Sequence, residues 1–315
     1  KSKKKENKNN NKEKTFYLNR EKISKEEKKK EETANKKLTK SETGKVKDYN
    51  ILTKSYNRDL QFPTKDSTIA YMKIKTFSGT YSRKFYKQSF ATLKKSPAKY
   101  LILDIRDNLG GSLYEINNLY SYFVSDEFRF INDIEVTSRS AMFQADYLAN
   151  FPILVKPLAI IVYPFYLVGT ALSTKKVNEK IYLRNNGIFA LKKPKKNNFK
   201  GKVYVLINGS SFSAASILPS KLKDEKRAFL VGEETGGAND GTVAGRYSTE
   251  KLKNSKLYLP IGLMLIQPNI KFTHTKKGVV PDKEIIPTLE EILQKKDVQL
   301  DWAMAEINKE NPSRF

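Results

Sequence analysis

Apolar positions along this chain fall into short continuous runs that alternate with stretches of helical period. Ile69–Ile74 reads as a strand with alternating character. Ser82 to Lys95 follows as an amphipathic helix with Phe85, Phe90 and Leu93 on its apolar side. Leu101–Ile105 is a second strand, and Leu113, Ile116, Leu119, Tyr120 and Phe123 recur at helical spacing, predicting a helix over 112–124. Further strands are expected at Leu158–Val162, Val203–Ile207 and Phe229–Val231, with a helix over 212–223 between the last two. Late strands are expected around Leu257–Leu259 and Leu263–Gln267, and two closing helices at about 288–295 and 298–309. Strand–helix alternation of this kind predicts an α/β fold with helices packed on a sheet.

Two regions depart from that rhythm. Residues 151–172 form the most apolar window, but Lys156 and the prolines Pro152, Pro157 and Pro164 interrupt it. A membrane-crossing helix needs about 20 apolar residues, so the window reads as a buried strand with a substrate-facing lid. Residues 1–55 are dominated by Lys, Glu and Asn, a composition that cannot offset ordering entropy and predicts a disordered, low-complexity segment or a truncated upstream module. Apolar patches at Phe16-Tyr17-Leu18 and Tyr49-Asn50-Ile51-Leu52 are candidate short strands within or beside it. The folded domain is expected over 65–310.

The turns after two buried strands carry the chemistry. Val203–Ile207 leads into Asn208-Gly209-Ser210-Ser211-Phe212-Ser213-Ala214-Ala215-Ser216, a small-residue turn that opens a helix. Backbone N–H groups gather at a helix start and stabilise negative charge, as the oxyanion of acyl transfer requires. The plainer alternative is that Ser210 or Ser211 is only a helix cap. Leu101–Ile105 leads into Arg106-Asp107-Asn108-Leu109-Gly110-Gly111-Ser112, whose paired glycines permit positive φ and close backbone approach.

With Gly232-Glu233-Glu234-Thr235-Gly236-Gly237 and Gly278-Val279-Val280-Pro281-Asp282, these segments make four landmarks in order. Together they resemble the tail-specific (C-terminal processing) serine peptidase family. The resemblance implies a Clp protease/crotonase-like core of repeated β-β-α units and proteolysis of protein or peptide substrates. It implies Ser213 as nucleophile, with the backbone N–H of Ala214 and of Gly110 or Gly111 as oxyanion hole. It also suggests the cell envelope or periplasmic side, and a peptide-binding PDZ module that is not recognisable here. The chain begins with lysine and reads as a fragment or processed chain, so its own sequence leaves location open.

One position departs from the family. The lysine of the Ser-Lys dyad falls on Ala238, and a serine without a base is a poor nucleophile at neutral pH. His274, the single histidine, is the candidate replacement because its ordinary pKa lies near neutrality. Glu233, Glu234 and Asp240 are carboxylate alternatives whose simpler role is to accept backbone N–H bonds in the loop. Pro219 falls inside the helix after Ser213, where it favours a kink.

Composition narrows the rest. With no cysteine and one histidine, a disulfide framework, a thiol nucleophile and a conventional zinc site are not expected, and no cofactor is called for. The formal charge of +25, from 59 Lys+Arg against 34 Asp+Glu, reads as a solvated basic surface. No nucleic-acid-binding signature accompanies it, so no specific nucleic acid is expected, and contact with an anionic surface through Lys-rich segments stays open. Three readings follow: a serine endopeptidase with a variant base, an inactive relative that binds peptide tails, and a basic surface-binding protein on a peptidase scaffold.

Overall fold

The computed structural model describes residues 48–50, 55–137, 153–184, 187, 190–271 and 277–310. The Phe16–Leu18 patch, most of the Lys/Glu/Asn-rich segment and His274 lie outside the described residues. The chain divides into two compact units, Lys1–Asp59 and Leu60–Phe315. In the first, β1 (Tyr49–Asn50) pairs antiparallel with β2 (Ser55–Tyr56), the rings of Tyr49 and Tyr56 meeting edge to face. Arg58 donates to both carboxylate oxygens of Asp48, at 2.7 and 2.9 Å. Strand β3 (Arg58–Gln61) runs across the boundary.

The second unit contains β4 (Ile69–Ile74), β5 (Tyr100–Asp104), β6 (Glu135–Val136), β7 (Thr174–Val177), β8 (Lys180–Leu183), β9 (Lys202–Ile207), β10 (Phe229–Gly232), β11 (Thr242–Lys251), β12 (Tyr258–Ile266) and β13 (Lys283–Glu284). Strands β13, β10, β9, β5 and β4 lie side by side in that order, all parallel. Strands β11, β12, β6, β8 and β7 form a second, antiparallel sheet.

Period-2 alternation divides the parallel sheet between two cores. Ala70, Met72, Ile74, Leu101, Leu103, Val203, Val205 and Ile207 face the larger one, with Phe90, Ile116 and Leu218 from the helices Ser82–Lys95, Leu113–Tyr120 and Ala214–Asp224. Ile69, Ile102, Tyr204, Leu206 and Val231 face the other way, against Ala303 and Ile307 of the helix Val298–Glu310. The fold is the expected α/β class, a sheet covered by helices on both faces.

Several elements differ from the sequence reading. The apolar run predicted as the strand Leu158–Val162 is part of a helix, Lys156–Leu172, and is exposed rather than buried. A short apolar run does not distinguish strand from helix by period. Pro157 sits in the first turn, where its missing N–H costs nothing. The late strands predicted at 257–259 and 263–267 are one strand, β12, continuous through Pro260. Its partner β11, rich in charged and hydroxyl residues, carries no periodic apolar run and was not anticipated; nor were β6, β7 and β8. The helix expected over 112–124 ends at Tyr120, and the one over 288–295 is Leu289–Leu293.

Candidate active site

The carboxyl ends of parallel strands gather the loops that carry the landmarks, where ligands bind open α/β sheets. Asn108 shapes the first loop: its Nδ2 donates to Ile74 O at 2.9 Å and its Oδ1 accepts the Gly110 N–H at 2.9 Å. Gly110 and Gly111 both hold positive φ, 98° and 140°. A Cβ on Gly110 would stand 2.7 Å from Phe212 O, 2.8 Å from Ser213 Cβ and 2.9 Å from Ala214 N, so only glycine lets this loop close on the helix start. Asp107 and Asn208 lock the two loops together. The Asp107 N–H donates to Asn208 Oδ1 at 3.0 Å, and Asn208 Nδ2 donates to Asp107 Oδ1 at 2.8 Å.

Four serines compete for attention in the second loop, and their environments separate them. Ser211 is fully buried; its hydroxyl donates to Ile105 O at 3.0 Å and accepts the Asn208 N–H at 3.1 Å. Ser216 is also buried, its Oγ donating to Ser213 O at 2.8 Å. Ser210 is exposed, with its N–H donating to Asn208 Oδ1. Ser213, the residue before the helix Ala214–Asp224, is half-buried, and its hydroxyl makes no hydrogen bond to any described residue. Its backbone is strained, at φ 55° and ψ −119°, a conformation that L-residues adopt at a cost of about 1–3 kcal/mol. The N–H groups of Ala214 and Gly111 likewise have no partner among the described residues, whereas that of Gly110 is spent on Asn108.

The third landmark packs against this helix start. A Cβ on Gly237 would lie 2.3 Å from Ser216 Oγ and 2.8 Å from Ser213 N. Gly237 N–H donates to Ser211 O at 3.2 Å, and Ser220 Oγ donates to Asn239 O at 2.6 Å. Thr235 joins the third landmark to the fourth: its Oγ1 donates to Gly237 O and accepts the Val279 N–H, each at 2.7 Å. Glu234 accepts the Gly278 N–H at 2.7 Å and Glu233 accepts from Gln299, so both carboxylates are engaged in loop structure. Ala238 bridges antiparallel to Gly278. His274 lies outside the described residues. A pocket of about 530 Å³ adjoins the loops, lined by Phe212, Ala238, Asp240, Val243, Leu265 and Gln267 among others. Among the described residues no cluster of His, Cys, Asp and Glu could hold a metal ion.

Behind the first loop stands an ionic network that motif reading did not find. Arg106 donates to Asp104 Oδ1 and Oδ2 at 3.0 and 2.6 Å and to Asp297 Oδ1 and Oδ2 at 2.5 and 2.7 Å. Lys73 Nζ stands 3.0 Å from Asp104, and Tyr71 donates to Asp104 at 2.6 Å. Burial pushes the Asp104 carboxyl up, but the Arg106 hydrogen bonds and the charges of Lys73 and Arg106 outweigh it and hold the group below the ordinary carboxylate range. Burial, then Asp104's charge, push the Tyr71 phenol far above its ordinary value. The Asp297 partner is 191 positions from Arg106, beyond the reach of any local pattern.

Comparison with known proteins adds a family. Residues 68–285 match the sequence profile of Peptidase family S41. No curated protein sequence matches. Among solved structures, the chain is similar to a candidate peptidase from Parabacteroides merdae, with TM-score 0.51 and 18% identity over 82% of this chain and 67% of that one. It is also similar to mature CPAF, with TM-score 0.48 and 18% identity over 71% of this chain and 48% of that one. The photosystem II D1 C-terminal processing protease gives TM-score 0.42 and 18% identity over 70% and 43%. The first likeness is one of fold. The chain spans about two thirds of the first of these structures and less than half of the other two.

Proposed function

The chain belongs to peptidase family S41, the tail-specific serine peptidases, and we propose that it hydrolyses peptide bonds in protein substrates with Ser213 as nucleophile. The observation that carries this reading is the strained helix-start serine with an uncommitted hydroxyl, pressed between Gly110 and Gly237. In the proposed step Ser213 Oγ attacks the scissile carbonyl carbon, giving up its proton to a base. The developing oxyanion is met by the N–H of Ala214 and of Gly111, the donors left without partners; Gly110 contributes room rather than a donor. Collapse of the tetrahedral intermediate expels the amine, which takes the proton from the base. Water, giving a proton to the same base, then releases the acyl group as a carboxylic acid and restores Ser213. Phe212, Val243 and Leu265 offer an apolar seat for a substrate side chain.

A second reading is favoured by one specific observation: Ala238, at the dyad-lysine position, supplies no amine, and the residue opposite it is Gly278. On that reading the chain binds peptide tails without cutting them. Labelling with a fluorophosphonate and cleavage of a peptide library separate the two. Ser213→Ala is expected to abolish labelling and hydrolysis while unfolding at the parent's temperature. Inactivation by Ser211→Ala with an intact fold, and none by Ser213→Ala, would place the nucleophile two residues earlier. The base is tested by pH: if His274 serves, the rate rises through one ionisation at about 6–7, and His274→Ala costs on the order of 100-fold. If a lysine serves instead, His274→Ala is near wild type and the profile moves to higher pH. An inert parent that gains hydrolysis with Ala238→Lys establishes the binding reading.

A further inference from the structure

The helix Lys156–Leu172 presents its apolar side outward. Leu158, Ile161, Val162, Phe165, Val168 and Leu172 are each between 44% and 76% exposed, while Tyr163 and Leu167 are partly covered. At helical spacing those six residues share one face, so the exposed surface is a continuous apolar stripe, of a kind monomeric proteins rarely leave in water. The helix meets the short 3-10 turn before it, Ile153–Val155, and β7, the strand that follows it. It has 17 residues, a length of about 25 Å. No helix among the described residues is long and apolar enough to cross a membrane.

We propose that this helix lies in the headgroup region of an anionic lipid bilayer, its outward stripe among the acyl chains. Charge selects this occupant. Residues 153–178 contain Lys156, Lys175 and Lys176 and no Asp or Glu. Lys175 pairs with Asp133, but Lys156 at one end of the helix and Lys176 beyond the other have no acidic partner among the described residues. An apolar stripe with a cation at each end matches an interface whose headgroups are negative and whose interior is apolar. A second copy of the chain would carry the same +25, which opposes self-association. The proposal is independent of the catalytic reading.

The test uses the full chain with vesicles of phosphatidylglycerol and phosphatidylcholine, and of phosphatidylcholine alone. Because other lysines also attract anionic vesicles, the readout is placed on the helix. In Phe165→Trp, binding to anionic vesicles is expected to shift the added emission to the blue and to allow quenching by lipids brominated in their acyl chains. The parent, carrying only Trp302, reports the background. Phe165→Glu is expected to weaken vesicle binding about tenfold, with its melting temperature unchanged because the position is exposed. Lys176→Gln is expected to weaken binding to anionic vesicles and leave neutral ones unaffected. The proposal is overturned if the residue 165 tryptophan escapes quenching while the protein is bound, or if Phe165→Glu binds like the parent. It is overturned equally if the blue shift grows with protein concentration in the absence of lipid, which would assign the face to a second copy.

Discussion

Ser213, the proposed nucleophile, combines a hydroxyl with a backbone conformation that its side chain disfavours. At φ 55° and ψ −119° its Cβ is a steric liability, so Ser213→Gly is expected to stabilise the fold by about 1 kcal/mol, raising the melting temperature by roughly 2–4 °C, while removing the proposed nucleophile. Differential scanning calorimetry on Ser213→Gly and Ser213→Ala decides the point; equal temperatures would mean that no strain is stored there. Gly110→Ala runs the other way. Its new Cβ meets main-chain atoms at 2.7 and 2.9 Å that cannot swing aside, so labelling at Ser213 is expected to be lost with only partial loss of stability. Motif order brought Ser213, Gly110, Gly111 and Ala214 to notice from sequence. That the Gly110 N–H is spent on Asn108 while that of Gly111 is not was not legible, because it depends on where Asn108 Oδ1 points.

Among the elements, the parallel strands were readable because burial on both faces leaves continuous apolar runs such as Val203–Ile207. Strand β11 was not, since its apolar residues Val243, Ala244 and Tyr247 are scattered among polar ones without period and its pairing with β12 rests on main-chain bonds. The union of β5 with the helix Val298–Glu310 was equally hidden, and it has a measurable signature. Asp104 and Asp297 are both held below their ordinary value of 3.8, in each case because Arg106 outweighs burial. Such groups contribute stability that is complete above the ordinary value and is lost as the pH falls through the lower folded-state value. Asp104→Asn should therefore flatten the acid limb of the stability curve below about pH 4, as denaturant unfolding at pH 3 and pH 7 would reveal. Arg106→Ala, which leaves Asp104 buried with Lys73 alone as cation, is expected to cost about 3 kcal/mol at neutral pH. Ile307→Ala in the same helix, fully buried, is expected to cost about 2–5 kcal/mol, against less than about 0.5 for Ile161→Ala on the exposed helix.

Over the whole molecule, composition and packing make one joint prediction. The Lys/Glu/Asn-rich residues 1–45 offer little that a core can bury, so trypsin is expected to trim them and leave a resistant fragment beginning between about 50 and 70. A protected N-terminus with a rapidly cut core would contradict this division. Within the resistant fragment, one face of the parallel sheet is covered late in the chain. Ile69 and Ile102 are followed by some two hundred residues before Ala303 and Ile307 arrive to cover them. A chain emerging from the ribosome must therefore carry an open apolar sheet face, in need of chaperone shelter, until that closing helix is made. Arg106, in the loop that Asp107 and Asn208 lock to the Ser213 loop, is held by Asp297 at the start of the same helix, so the proposed site is expected to be fully braced only once that helix is in place. Late synthesis of one helix would thus govern both the cover of the sheet and the bracing of the loops at its carboxyl end.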